Sequence, residues 1–179
     1  MTTNNVRMSV TLRGTGLVTV KWPNGDQTLT LSPGGEYASL SRNFGTAQNR
    51  TITILGENIT YFFCTDNELL TLDLSECTAL QWLYCYNNQF TSLGVSDFTA
   101  LKNLNVTGNT LLTSLDVSGC TALKELYCNN NQLTEAGLNA LFEMLPYNSS
   151  HGTLRIGNNP GTSACTQSIA TSKNLNVVI

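Results

Sequence analysis

Between residues 59 and 133 the apolar positions recur in one register. The first line is Ile59-x-x-Phe62-x-Cys64-x-x-Asn67-x-Leu69-x-x-Leu72, and the second is Leu80-x-x-Leu83-x-Cys85-x-x-Asn88-x-Phe90-x-x-Leu93. The third is Leu101-x-x-Leu104-x-Val106-x-x-Asn109-x-Leu111, and the fourth is Leu123-x-x-Leu126-x-Cys128-x-x-Asn131-x-Leu133. Successive lines start 21, 21 and 22 residues apart, and the extra residue falls near the doublet of Leu111 and Leu112. A second phrase joins the lines: Leu72-Asp73-Leu74-Ser75-x-Cys77-Thr78-Ala79-Leu80 recurs as Leu115-Asp116-Val117-Ser118-x-Cys120-Thr121-Ala122-Leu123. Alternate side chains of a strand point to opposite faces, so the second apolar residue of each line and the Cys or Val two places on are predicted to face inward. The asparagine that follows carries donors and an acceptor on one amide, which suits it to backbone groups left free where a strand ends. Asn67, Asn88, Asn109 and Asn131 are therefore predicted to stack as a ladder, with Asn159 continuing it. One coil cannot bury its own apolar edge, so its stability must come from its neighbours.

The pattern changes on either side. Leu138, Leu141, Phe142 and Leu145 follow helical spacing, which predicts a helix over 134–146 with Thr134 as N-cap and Pro146 as stop. The next strand is predicted at 153–156, a second short helix at about 163–173, and a last strand at 175–177. Toward the N-terminus, Val6-x-Met8-x-Val10-x-Leu12 alternates, as do 17–20, 29–31 and 51–54. Turn signals at Gly14-Thr15-Gly16, Pro23-Asn24-Gly25-Asp26 and Pro33-Gly34-Gly35 separate them. Residues 6–57 read as a small antiparallel β cap over the open end of the repeats, and 1–5 as a disordered lead-in. Such a cap keeps an exposed core edge from pairing with another chain.

The repeat spacing resembles the leucine-rich repeat family. The resemblance implies an α/β fold: a leucine-rich repeat solenoid of about six coils over 58–179, with a curved parallel sheet, short convex helices near the C-terminus and the small N-terminal antiparallel β cap. The cap, the Asp116-to-Leu123 phrase and the ending Ala140-Leu141-Phe142-Glu143-Met144-Leu145-Pro146 with Gly157-Asn158-Asn159-Pro160-Gly161 are together similar to a group of leucine-rich repeat proteins of gut Bacteroidetes. Many of these are secreted or surface lipoproteins. Members often carry W-G-D-G in the cap hairpin, where this chain has Trp22-Pro23-Asn24-Gly25-Asp26. The resemblance implies an extracellular or cell-surface location, a role such as adhesion, and a signal or lipid-attachment segment encoded upstream of Met1.

Composition narrows the function. The 179 residues suit one domain with a cap, and the net charge of −3 argues against a nucleic-acid partner bound through a basic face. Only 12% of residues are charged, while about a third are Asn, Thr or Ser, as many turns around an apolar core require. No apolar run approaches the ~18 residues of a membrane span. Of the six cysteines, Cys64, Cys85 and Cys128 share the inward position, where a thiol behaves as a small hydrophobe. Cys77 and Cys120 sit two coils apart, roughly 10 Å at ~4.8 Å per coil, beyond the ~7 Å limit for a bridge. No metal site is expected, since there is no C-x-x-C and the single histidine, His151, stands alone. No cofactor and no catalytic residue are expected, because no nucleophile–base constellation or phosphate loop occurs. Asp73 and Asp116 read as turn acceptors. Four Asn-x-Ser/Thr matches, at Asn49, Asn58, Asn105 and Asn148, read as accidents of an Asn/Thr-rich chain.

The candidate ligand face is the concave sheet, where residues alternating with the core point to solvent. It carries Tyr61, Phe63, Trp82, Tyr84, Tyr86, Asn103, Asn105, Glu125, Tyr127, Asn129 and Arg155. Thr65, Thr107, Thr153 and Gly157 share the same phase. Six of the chain's 14 aromatic residues thus fall on one face, and a contiguous exposed aromatic surface marks an interaction site. Trp82, Tyr84 and Tyr86 are the anchors. A protein ligand is the first reading and a glycan the second. Aromatics that merely stack as scaffold, a structural spacer and a self-association face remain open, with a monomer favoured over an oligomer.

Overall fold

A computed structural model of the protein describes residues 6–44 and 51–179. The lead-in at 1–5 and the match at Asn49 lie outside these. The repeat lines become strands β6 (Ile59–Phe63), β8 (Trp82–Tyr84), β9 (Asn103–Asn105), β10 (Glu125–Tyr127), β11 (Gly152–Arg155) and β12 (Leu175–Val178). Each pairs in parallel with the next at a shift of one repeat, as Tyr61 with Trp82 and Leu83 with Leu104. The ladder continues past the strands: the amides of Cys64, Cys85, Val106 and Cys128 donate to the carbonyls of Tyr84, Asn105, Tyr127 and Arg155, each at 2.9 Å. Phe62, Leu83, Leu104, Leu126 and Leu154 point inward and are buried, as are Cys64, Cys85, Val106, Cys128 and Ile156.

The N-terminal strands join the first repeat through both sheets. β1 (Val6–Gly14) pairs antiparallel with β6 and with β4 (Ala38–Phe44), so the large sheet runs β12-β11-β10-β9-β8-β6-β1-β4 and is mixed, not wholly parallel as expected. β2 (Gly16–Trp22), β3 (Gly25–Leu31) and β5 (Thr51–Leu55) form a second sheet, closed by the parallel strand β7 (Thr71–Asp73) of the first repeat. Both sheets feed one core, from Met8 and Val18 through Ile52 to Leu175. β4 escaped the sequence reading because Ser39, Ser41, Arg42 and Asn43 make it polar, and an edge strand needs little apolar content. Gly14 makes the close approach of β1 possible: a Cβ there would lie 2.1 Å from the Asn58 carbonyl oxygen.

The asparagine ladder is built as its chemistry suggests. The Asn88 Nδ2 donates to the carbonyl of Cys64 at 2.8 Å, and its Oδ1 accepts from the amides of Asn67 (3.2 Å) and Leu69 (3.0 Å). Asn109 and Asn159 repeat the scheme, with Oδ1 accepting from the amides of Phe90 and Leu133. Asn67 turns instead to the N-terminal unit, exchanging two hydrogen bonds with the backbone of Ser9. The residue before each ladder asparagine, namely Asp66, Asn87, Gly108, Asn130 or Asn158, is left-handed, with φ between 54° and 71°. Asp, Asn and Gly are the types that tolerate this region best.

The third line departs in register. Leu112, not the aligned Leu111, fills the core: Leu112 is fully buried and Leu111 is 47% exposed. The amide of Gln132 accordingly donates to Leu112, where the equivalent Gln89 donates to Leu69. The inserted residue leaves the Asn131 Oδ1 buried with no partner. Across the back of the repeats, tight turns replace helix: the Cys77, Phe98 and Cys120 amides donate to the Leu74, Val95 and Val117 carbonyls. Asp73 and Asp116 accept from the amides of Ser75 and Ser118 in these turns. α1 (Glu135–Met144) is capped by Thr134, whose Oγ1 accepts from the Gly137 amide at 3.2 Å, and buries Leu138, Leu141 and Phe142. α2 (Gln167–Ser172) is shorter than the helix predicted over 163–173, whose beginning forms turns.

Candidate functional site

The register lines the candidate residues up in two rows. Arg13, Tyr61, Trp82, Asn103, Glu125 and Thr153 are partners across successive strands, and so are Thr11, Phe63, Tyr84, Asn105, Tyr127 and Arg155. Tyr86, Thr107 and Asn129 follow just beyond their strands. Of the residues assigned to this face by phase, Thr65 does not belong. It is 8% exposed, because the chain turns inward toward buried Asn67.

The aromatic half is a packed cluster. Tyr84 lies between Tyr61 and Phe63, with ring centroids at 5.6 and 6.4 Å, and Phe63 meets Tyr86 edge-on at 5.8 Å. Rings at such separations attract through offset or edge contacts, which holds them in place and leaves each half-buried. Trp82 carries the Lys102 ammonium over its ring at 5.5 Å, and that ammonium also donates to the Gln81 Oε1 at 2.9 Å. Burial pushes the phenols of Tyr61 and Tyr84 up, helped by neighbouring Tyr37 at Tyr61 and by Glu125 at Tyr84. Both therefore stay neutral hydrogen-bonding groups at physiological pH.

The other half is polar and internally bonded. Glu125 accepts from the Asn103 amide group and from the Tyr127 hydroxyl, while the Arg155 guanidinium lies 5.3 Å above the Tyr127 ring. Burial and then the Glu125 charge raise the Tyr127 phenol. The Thr107 hydroxyl donates to Asn129, and the Thr107 amide to the Asn105 side chain. These bonds fix the amides in defined orientations.

The fold adds residues that the sequence reading did not name. Tyr37, just before β4, meets Tyr61 at 4.7 Å and carries Arg13 over its ring at 5.7 Å. A space of about 620 Å³ opens between this tyrosine and the sheet, with Tyr61, Trp82, Tyr84, Asn58, Thr60 and Gln81 among its walls. The alternation in 6–12 does put Arg13 in phase with this face, but nothing local signals Tyr37.

The six cysteines are free thiols, five of them buried and Cys165 half-exposed. The Cys77 thiol donates to the Ile54 carbonyl on β5, and the Cys120 thiol to the Val95 carbonyl of the preceding repeat. Burial pushes the thiols of Cys77, Cys120 and Cys128 to about 12, which suits packing and not nucleophilic chemistry. Among the described residues, no helix is long and apolar enough to cross a membrane.

Residues 78–119 match the family model for leucine-rich repeats, in two copies. The chain thus contains leucine-rich repeats in an arrangement rich in β-structure with few helices. Among solved structures it is similar to the functional domain of InlJ from Listeria monocytogenes, which includes a cysteine ladder. The two share 26% identity over 68% of this chain, with a TM-score of 0.47, and the match spans 30% of that chain. No curated protein matches the sequence.

Proposed function

We propose that this chain is a non-enzymatic leucine-rich repeat module that recognises a protein ligand on the open face of its large sheet, outside the cell. The repeats form a curved solenoid in this reading, and the face is its concave side. The observation that carries it is the contiguous cluster of Tyr61, Phe63, Tyr84 and Tyr86, whose rings lie 5.6 to 6.4 Å apart. Clustered aromatics held rigid by one another give contact area at low entropic cost, which is how interface anchors act. The oriented amides of Asn103, Asn105 and Asn129 supply the hydrogen bonds, with Glu125 and Arg155 setting polarity. Leucine-rich repeats as a family support a protein partner, and the resemblance to surface proteins of gut Bacteroidetes supports display at the cell surface.

The test is a binding panel of extracellular and matrix proteins. Wild type is compared with Trp82→Ala/Tyr84→Ala/Tyr86→Ala, after circular dichroism shows that the variant is folded. Binding that the variant loses supports the reading. Binding that survives moves the site off this face, and absence of any binding, with concentration-dependent mass in light scattering, assigns the cluster to self-association.

A further inference from the structure

At the N-terminal end of this face, the structure brings together groups that are far apart in sequence. Tyr37 precedes β4, Arg13 and Gly14 end β1, Asn58 and Thr60 open β6, and Gln81, Trp82 and Tyr84 belong to the second repeat. They enclose about 620 Å³, within the ~300–1,000 Å³ usual for small-ligand pockets. We infer that this pocket binds a saccharide, one pyranose unit of a glycan lying against the rings of Trp82 and the tyrosines. The inference rests on the reading of this face as a ligand surface, and it assigns the pocket a chemistry that the flat aromatic rows lack.

Three features of the lining select this ligand class. First, its side chains are of two kinds only, aromatic rings and hydrogen-bonding groups, with Ala79 the sole aliphatic hydrophobe among the described lining residues. A leucine or methionine anchor from a peptide would desolvate the Asn58 side chain and the Gln81 amide nitrogen without pairing them, and each unpaired buried group costs free energy. A pyranose has apolar C–H faces for the rings and a rim of hydroxyls for the amides, so it satisfies both kinds together.

Second, among the described lining residues there is no carboxylate, and Arg13 is the one cation, with the Lys102 ammonium next to the pocket over the Trp82 ring. A cationic ligand would meet rings but also the guanidinium, with no counter-charge. A phosphate would find a single arginine already resting over Tyr37 at 5.7 Å, instead of the bidentate cluster such groups take. Third, the ring geometry suits a flat ligand with two dissimilar faces. Tyr37 meets Tyr61 at 66° and 4.7 Å, while Tyr61 and Tyr84 are tilted by 45°, so the rings form a corner and not a parallel slot. A corner grips a ring by one face and one edge. The Gln81 Oε1 is held by the Lys102 ammonium, which leaves the Gln81 amide nitrogen fixed in place for a ligand hydroxyl.

The experiment uses the indole of Trp82 as reporter. The chain has two tryptophans, and the other, Trp22, is buried in the core at 4% exposure. The whole chain, labelled with 15N, is titrated with methyl glycosides of glucose, galactose, mannose and N-acetylglucosamine, and with sialyllactose. Titrations run to about 20 mM, since a lone sugar unit in an open pocket binds at millimolar strength. The expected result is a saturable shift of the Trp82 indole signal with at least one of them. Tyr37→Ala weakens that binding on the order of tenfold, the worth of one stacked ring. Tyr37 is 54% exposed, so its removal leaves the fold intact. Tyr147→Ala, an exposed tyrosine beyond α1 and outside the pocket lining, leaves saccharide binding unchanged. No saturable shift with any of these sugars overturns the inference, as does a shift that Tyr37→Ala does not weaken. If saccharides fail while the protein panel still gives binding that the triple variant loses, the pocket assignment alone falls. If both fail, the reading of the face falls with it.

Discussion

The unequal hydrogen bonding of the asparagine ladder makes a prediction with an internal control. Asn88 and Asn131 occupy the same place in their repeats and are both buried, at 4% and 2% exposure. Truncating Asn88 to Ala removes the acceptor used by the Asn67 and Leu69 amides and the donor to the Cys64 carbonyl, leaving three backbone groups without their partner. Each stranded buried group costs about 1–3 kcal/mol. Relaxation and water entry keep the sum nearer the low end, about 4 kcal/mol. The Asn131 Nδ2 donates to the Val106 and Cys128 carbonyls, but its Oδ1 has no partner to lose. Carbonyls tolerate under-satisfaction better than amides, so Asn131→Ala costs about 2 kcal/mol. At roughly 2–4 °C per kcal/mol for a chain of this size, Asn88→Ala lowers Tm by about 8–16 °C and Asn131→Ala by about half that. Urea unfolding followed by fluorescence checks the order, provided the slopes of the transitions agree. Equal losses within about 0.5 kcal/mol, or a larger loss at Asn131, would refute the account of the ladder as matched donors and acceptors.

Three further outcomes follow from the same geometry. Deleting Leu111 restores the 21-residue step and brings Leu112 to the aligned core position, so stability is unchanged or rises by up to about 2 kcal/mol; a drop in Tm of several degrees would sink the register argument. With a thiol reagent at pH 8, only Cys165 reacts at once, because a buried thiol raised to about 12 is thiolate to the order of one part in ten thousand. The remaining five react at the rate of unfolding, and a second fast thiol in native protein would contradict the burial. Gly14→Ala drives a Cβ against the Asn58 carbonyl oxygen and costs about 1–3 kcal/mol. It also shifts the Trp82 indole signal, since β1 and β6 frame the same pocket; an unperturbed variant would show that the two strands are not so tightly joined.

Much of the core was legible because each repeat interacts with the next one along the chain. Phe62, Cys64, Leu83, Cys85, Leu104 and Val106 share a phase, and all are fully buried. The left-handed position is written in the sequence too, in the Asp, Asn or Gly that precedes every ladder asparagine. The doublet of Leu111 and Leu112 is ambiguous in the sequence, because two equal hydrophobes offer no local reason to prefer either. Backbone register decided it, through the bond from Gln132 to Leu112.

The sequence by itself determined the period, the inward side chains, the asparagine ladder and the aromatic phase of the face. A parallel pairing at a one-repeat shift is written locally, in residues about 21 positions apart with the same character. Only the tertiary structure decided that β1 and β4 extend the large sheet, that β7 closes the small one, and that Tyr37 and Arg13 meet Tyr61 and Trp82 around a pocket. Those pairings join segments with no repeat between them, as Thr11 with Ser39 and with Phe63. An antiparallel partner so far along the chain is selected by shape and burial of the whole core, and leaves no periodic trace in the sequence.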